Sequence, residues 1–292
     1  MAQLAEQSNN YNFTVEAAPS WMQLPDGTFK KDGFTVNRRT DTMEVLGKVT
    51  DRYGIIQNAD LISSAEDAFK QKGLTDYTRN VVVTGKGQKM YAVYDFKNHV
   101  KKLKVGDEVG MRLTVQNSFD GVLRGSFSLG MKRLICANGM TTLEREVGMT
   151  KKHSSGISTK FIADALEKAI LAWNSSTQVF DRLSDVTVTQ EQGRNILSQF
   201  EEQNILSGKL RENVELIWNA PTHREDAGRN LFNLYNAVTQ HLTHNVASER
   251  FELSNRVSDN VLSLLDKASR QTNVFDRLVQ PVALPLEAVA LN

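Results

Sequence analysis

The chain has 292 residues, 40% of them hydrophobic, enough apolar material for one large core or two ordinary ones. A single cysteine, Cys136, excludes an intrachain disulfide and a cysteine-rich zinc module, and no run of 18 apolar residues offers a transmembrane helix. The formal charge of +1 hides an asymmetry: residues 79–160 carry 15 Lys and Arg against 6 Asp and Glu, a net of +9, while residues 1–78 and 161–292 net −3 and −5. Such a distribution sets up a local field that the global charge conceals.

Residues 1–20 are polar and contain Glu6 and Glu16 but no basic residue. That is unlike a secretory leader, so a cytoplasmic, non-membrane protein with a flexible N-terminal arm is expected. Asp26-Gly27 and Asp32-Gly33 mark turns, and residues 34–57 read as short strands. Asn58 opens a helix, Gly73 closes it in a left-handed conformation, and Leu61, Ile62, Ala65, Ala68 and Phe69 share its apolar face. Period-two alternation over Met90–Phe96 then predicts a sheet with two distinct faces. Gly85 and Gly87 suggest a tight hairpin. Asn117–Gly121 joins two long strands as antiparallel neighbours.

After Gly148 the texture becomes helical. One helix is expected from Ser158 or Thr159 to about Ser184, and a second from Thr189, where Gln192 completes a capping box. Others are expected over Lys209–Trp218, Asp226–Leu242 and Val257–Ala268, followed by an apolar tail, PVALPLEAVALN. Strands first and helices afterwards predict an α+β fold: an antiparallel hairpin-rich sheet followed by a helical region. The expected divisions are 1–20 (arm), 21–150 (mainly β with one helix), 155–280 (helical) and 281–292 (tail). Residues 1–150 and 155–280 are read either as two domains or as two layers of one core.

Phosphate binding needs long cationic side chains converging on one groove. The basic region offers Arg79, Lys86, Lys89, Lys97, Lys101, Lys102, Lys104, Arg112, Arg124, Lys132 and Arg133, and cross-strand pairing can gather some of them on one face. Tyr53, Tyr91, Tyr94, Phe119 and Phe127 are candidate stacking surfaces, although each suits a core equally well. Phe119 stands out as a hydrophobe in a polar turn, either plug or contact surface. In the turn itself Asn117 and Asp120 can bond nearby backbone amides, and Gly121 can take positive φ. The expected role of Cys136, inside the apolar run RLICAN, is a small buried hydrophobe.

Three stretches together carry a family resemblance: VTDRYGIIQNADLI, LTVQNSFDGVLRGSFSLGMKRLICANGM and NLFNLYNAVTQHLTH. Their order and spacing resemble the phage/plasmid-like family built around domain-of-unknown-function family 932, over roughly residues 45–245. The matching positions are Asp51, Arg52, Tyr53, Gln57 and Asn58; then Asn117, Ser118, Phe119, Asp120 and Gly121; then Arg133, Cys136, Ala137 and Asn138; and last Asn236, Ala237, Val238, Thr239 and His244. Phe119 stands where the family typically has His, and Gln240 where it has Glu. The resemblance implies a phage, prophage or plasmid setting, hence the host cytoplasm, and no settled activity. A distant likeness to Rad52-type annealing proteins rests on the hairpin-rich sheet and no motif.

Enzyme signals are thin. There is no phosphate-binding loop, dinucleotide fingerprint or HExxH motif, the five histidines are scattered, and no metal or cofactor is expected. The leading expectation is a noncatalytic protein that binds or anneals single-stranded nucleic acid as a homo-oligomer. The alternatives are an interaction protein that scaffolds or blocks a host or phage partner, and a Mg²⁺ nuclease if Asp51 and Asp120 meet.

Overall fold

The computed structural model describes residues 11–104, 106–134, 139–141, 150–151, 153, 159, 161–173, 177–247 and 250–282. Cys136, Asn138 and the apolar tail beyond residue 282 lie outside the described residues. The architecture is α+β, with antiparallel sheets followed by helices. The chain forms two compact units. The first takes Met1–Lys101, Val109–Lys132 and Glu144–Ser176, and the second Lys102–Glu108, Arg133–Leu143 and Thr177–Asn292.

The first unit opens with a three-stranded sheet, β1 (Val15–Gln23), β2 (Phe29–Arg39) and β3 (Val45–Thr50), in that order. Residues 15–20, expected in the arm, therefore belong to a strand. Gln57 holds β1 by both backbone groups of Val15: its Oε1 accepts from the amide at 3.0 Å and its Nε2 donates to the carbonyl at 2.8 Å. Beyond a register shift between Pro19 and Trp21, the β1–β2 pair continues as a two-stranded ribbon to the turn at Asp26-Gly27.

Helix α1 (Asn58–Gln71) follows. Asn58 does not cap it. Gln57 occupies the N-cap position without a side-chain cap bond, and Asn58 is buried with its own side chain spent on tertiary contacts. Gly73 ends the helix as expected, at φ +73°. The second sheet runs β4 (Tyr77–Thr84), β5 (Lys89–Lys102), β6 (Glu108–Ser118), β7 (Gly125–Arg133), with β9 (Thr150–Lys151) beside β7. Links this short between β4, β5, β6 and β7 admit only antiparallel neighbours, because a parallel pair needs a crossover of a dozen or more residues. The β4–β5 link is a tight 3₁₀ turn at Gly85–Gly87 in which Lys86 also takes positive φ.

One face of this sheet packs on α1. Phe69 meets Tyr94 and Phe96 of β5, Tyr77 of β4 and Phe127 of β7 at centroid distances of 4.9, 5.3, 5.7 and 6.2 Å. Full burial of such a ring stabilises by about 3 kcal/mol at most. Helix α2 (Phe161–Trp173) packs on α1 in the same unit, so the single helix expected from 158 to 184 is instead α2 and a separate α3.

The second unit holds α3 (Gln178–Asp185), α4 (Gln190–Glu202), α5 (Gly208–Asn219), α6 (Leu231–His244), α7 (Phe251–Arg270), α8 (Thr272–Leu278) and the short β8 (Gly139–Thr141). The predicted capping box is present on α4, with Thr189 and Gln192 bonding reciprocally at 3.0 and 2.8 Å. Gly193 lets Trp218 of α5 lie on α4, since a Cβ there would come within 2.4 Å of the indole. Helix α6 begins at Leu231, capped by Asn230, five residues later than the pattern suggested. It is buried on nearly every side and packs against α3, α5, α7 and β8.

Gly47 of β3 lies so close to the β6–β7 turn that a Cβ would sit 2.5 Å from Asp120 Cα and 2.8 Å from the Phe119 carbonyl oxygen. Both obstacles are backbone. Gly47→Ala is therefore expected to lower stability by about 1–3 kcal/mol. Thermal melting checks this, with Ala17→Ser on exposed β1 as a control that stays near wild type.

Candidate functional site

The resemblance-bearing residues of the first unit converge on one point, the turn Ser118–Gly121. Phe119 is fully buried with Phe13, Val15 and Leu46, so its ring is a plug and not a contact surface for a ligand. Its amide donates to the Gln88 carbonyl at 2.8 Å, and its carbonyl accepts from Asn37 Nδ2 at 2.7 Å. The Ser118 carbonyl accepts from the Tyr53 hydroxyl at 2.6 Å. Asn117 reaches away from the turn, donating through Nδ2 to the Ile56 carbonyl and to Asn58 Oδ1, both at 2.8 Å. The expected local bond is made by Asp120 instead, whose Oδ1 accepts from the Val122 amide at 2.9 Å, and Gly121 takes φ +77°.

Tyr53 also stacks on His153 at 4.9 Å and 12°. Burial pushes its hydroxyl well above the usual tyrosine range, although the bond to Ser118 pulls the other way. Burial likewise lowers His153, against a bond between its Nδ1 and the Gly54 carbonyl. Asp51 and Arg52 are exposed at the neighbouring turn.

In the second unit two more resemblance positions meet. Arg133 is completely buried, bound to Asp107 at 2.7 Å and to Asp226 at 2.8 Å, with its guanidinium over the Phe232 ring at 5.9 Å. Asn236 Nδ2 donates to Asp226 Oδ1 at 3.1 Å. Arg133 thus leaves the phosphate-binding set, because its charge is neutralised inside the protein. Burial raises the Asp107 carboxyl above its ordinary value, against the pull of Arg133. A crevice nearby, lined by Trp218, Pro221, Asp226, Asn233 and Gln240, is too narrow to admit a water molecule.

The remaining cations divide by position. Arg112 of β6 holds Asp95 of β5 with both donors, at 2.6 and 3.0 Å, and Lys132 of β7 reaches the same carboxylate at 3.1 Å. These three therefore share one sheet face, opposite the α1 side. Strand alternation puts Lys89 and Lys97 on Asp95's side as well. This face carries Lys97, Arg112 and Lys132 near Asp95, with Lys89 at the far end of β5 and exposed Glu108 at the start of β6, among half-buried Thr114, Gln116 and Ser128. Tyr91 and Val93 on the same side are buried.

Arg79 pairs in register with Tyr94 and so lies on the opposite face, where Glu66 of α1 takes it at 2.6 Å. Lys101 donates to the Trp173 carbonyl at 2.6 Å. Lys104, in the second unit, is held by Asp185 at 2.8 Å. Lys86, Lys102 and Arg124 are exposed.

Tyr91, Tyr94 and Phe127 are core residues. The exposed aromatic rings among the described residues are Trp21, Phe29 and Phe34, all on β1 and β2; Trp21 and Phe29 fall between the expected arm and the expected short strands, where only turns were read. Their signal was present in the sequence, as aromatics beside Lys30 and Lys31 with no alternating apolar partners.

The chain is thus an α+β protein whose first unit has a polar, cation-bearing sheet face and a turn anchored by buried Phe119. The family model described as domain of unknown function (DUF932) matches residues 45–274, and the chain belongs to that family. Neither the curated proteins nor the solved structures hold a match to it. Among the described residues no group of three or more His, Cys, Asp or Glu is placed to hold a metal ion, and no helix is long and apolar enough to cross a membrane.

Burial raises the Asp95 carboxyl, but Arg112 and Lys132 outweigh it and hold the group below its ordinary value of 3.8. The stability this contributes is fully present above 3.8 and is lost as the pH falls through the lowered value. Asp95→Asn is expected to cost about 1.5–3 kcal/mol at pH 7. Urea unfolding at pH 7, 4 and 3 should show the gap from wild type closing as the acid is approached. Arg133→Met leaves two buried carboxylates without their cation, and a loss of about 3–5 kcal/mol by calorimetry is expected.

Proposed function

We propose that the chain is a noncatalytic protein that binds single-stranded nucleic acid and, in that role, assists annealing. The observation that carries this reading is the sheet face on which Arg112 and Lys132 share one carboxylate, Asp95, with Lys97 on the same side of β5 two residues further on. Asp95 fixes Arg112 and Lys132 in place and neutralises only one charge, leaving a preorganised positive excess. Threonine, glutamine and serine beside it supply neutral donors to phosphate oxygens, contacts that position a backbone without reading its sequence. A backbone held in this way leaves base edges free for a complementary strand. Several copies along one strand would align such faces, and a phage or plasmid protein acting in the host cytoplasm is the setting this reading implies.

A second reading, an interaction or assembly protein with a host or phage partner, is favoured by the pairing of Arg79, Lys104 and Arg133 with carboxylates of the same chain, and by the exposed apolar residues of β1–β3. Salt separates the two, because each phosphate held on a single strand contributes a slope of about −0.7 in log K against log salt. Binding of a labelled oligothymidylate measured between 50 and 300 mM salt is expected to show a slope of about −2 to −3. Arg112→Ala/Lys132→Ala should flatten that slope by about one unit and weaken binding, whereas Arg79→Ala should leave the slope unchanged. A complex indifferent to salt, or none at 50 mM, would favour the protein-partner reading.

A further inference from the structure

The β1–β2 ribbon is not explained by packing. Its outer half, from Trp21 through Lys31, is exposed along its length apart from half-buried Leu24, although it contains Trp21, Met22 and Phe29. Trp21 is 52% exposed and Phe29 65%, and Phe34, near the base of the ribbon, is 44% exposed. An exposed tryptophan and two exposed phenylalanines within fourteen residues are unusual for a surface with no partner, and such surface marks interaction sites.

The geometry says which rings act together. Trp21 is paired in register with Lys31, and Gln23 with Phe29. Residues paired directly, and residues two apart in a strand, share a face. Trp21, Gln23, Phe29 and Lys31 therefore line one side of the ribbon, with Met22 and Lys30 on the other. Lys31 Nζ lies 5.5 Å from the Trp21 ring centre, and Lys48 Nζ lies 4.9 Å from that of Phe34. The Trp21–Lys31 pair sets a flat apolar surface beside a cation that can reach the phosphate of a base stacked there, whereas Lys48 is held by Asp32.

The carboxylates leave the Trp21–Lys31 pair untouched. Asp26, at the ribbon tip, is turned inward to the Thr28 amide and hydroxyl, at 2.9 and 2.7 Å. Asp32 is largely buried and takes the Ser20 hydroxyl, the Phe34 amide and Lys48. Lys30 and Lys31 have no carboxylate partner among the described residues.

We propose that the β1–β2 ribbon is a base-stacking site for single-stranded nucleic acid, in which Trp21 and Phe29 take successive unpaired bases and Lys31, on the same side, takes a phosphate between them. This rests on the reading of the protein as a single-strand binder. It adds a second site to the sheet face, with a different chemistry: ring stacking tolerant of sequence in place of a phosphate-holding surface. Duplex DNA buries its base faces and is excluded from such a site.

The test uses the full chain and a fluorescein-labelled twenty-residue oligothymidylate, with the matching duplex as competitor. Trp21→Ala/Phe29→Ala is the central variant. Both rings are exposed, so its melting curve should match wild type. Stacking loss is expected to weaken binding at least tenfold, while the salt slope stays that of wild type because no phosphate contact is removed. Lys31→Ala should instead reduce the slope. Trp21 is exposed while Trp173 and Trp218 are buried, so quenching of tryptophan emission by the oligonucleotide should disappear in Trp21→Ala. Wild-type binding with the Trp21→Ala/Phe29→Ala variant unchanged within twofold would overturn the ribbon site and leave the single-strand reading standing. No wild-type binding at 50 mM salt would overturn both. A fall in molar mass of the same variant in light scattering, without any nucleic-acid binding, would assign the ribbon to contacts between copies of the chain and also overturn the proposal.

Discussion

A backbone turn that is buried has to find partners for its amides and carbonyls inside the protein, because water cannot reach them. The first half of the Ser118–Gly121 turn is placed under this constraint by Phe119, whose ring fills the core between β1 and β3, while Gly121 stays exposed. The groups exposed by sinking that ring are met one by one: Gln88 takes the Phe119 amide, Asn37 its carbonyl, and Tyr53 the carbonyl of Ser118. Asn117 and Asn58 extend the network to the start of α1 and to the Tyr11 carbonyl. Both sheets of the first unit and its first helix are thereby referred to one turn. The close approach of Gly47 follows from it, since only a residue without Cβ leaves room for backbone against backbone.

The same logic explains why the family resemblance, concentrated in polar residues, does not by itself outline a binding site. Tyr53, Gln57, Asn58 and Asn117 are polar because they satisfy buried backbone. Arg133 and Asn236 are polar because two carboxylates, Asp107 and Asp226, must be compensated within the helical unit. Buried networks of this kind add less net stability than apolar packing of equal volume, yet removing one member leaves a charge or carbonyl stranded.

Periodicity made the elements legible where one face alone is buried. The α1 stripe from Leu61 to Phe69 and the alternation of β5 read directly into structure, and so did the Thr189 capping box. Ends were less legible, since they depend on tertiary partners. Asn58 has the residue type of a cap, but Asn117 and Tyr11 compete for its side chain and win. Helix α6, buried almost all round, lacks a polar face to mark its phase, so its start was placed at Asp226, which is instead engaged with Arg133. Charge was the least legible property. A net of +9 over residues 79–160 gives the number of cations and says nothing of where carboxylates from elsewhere in the chain will come to lie.

That last point determines how a basic region should be weighed. Glu66 and Asp185 lie outside the basic stretch, and each reaches in to hold one cation, Arg79 and Lys104. Asp226 does the same for Arg133, with Asp107 from within the stretch. Asp95 acts differently, because one carboxylate between Arg112 and Lys132 orients both and cannot cancel both. The distinction between a cation that is neutralised and one that is positioned lies in the ratio of charges around it and in burial. Arg133, fully buried between two acids, is structural, whereas Arg112 and Lys132, each about a fifth to a third exposed and sharing one acid, keep a field that reaches solvent. A polyanion approaching this protein meets that residual field, not the formal charge of the segment.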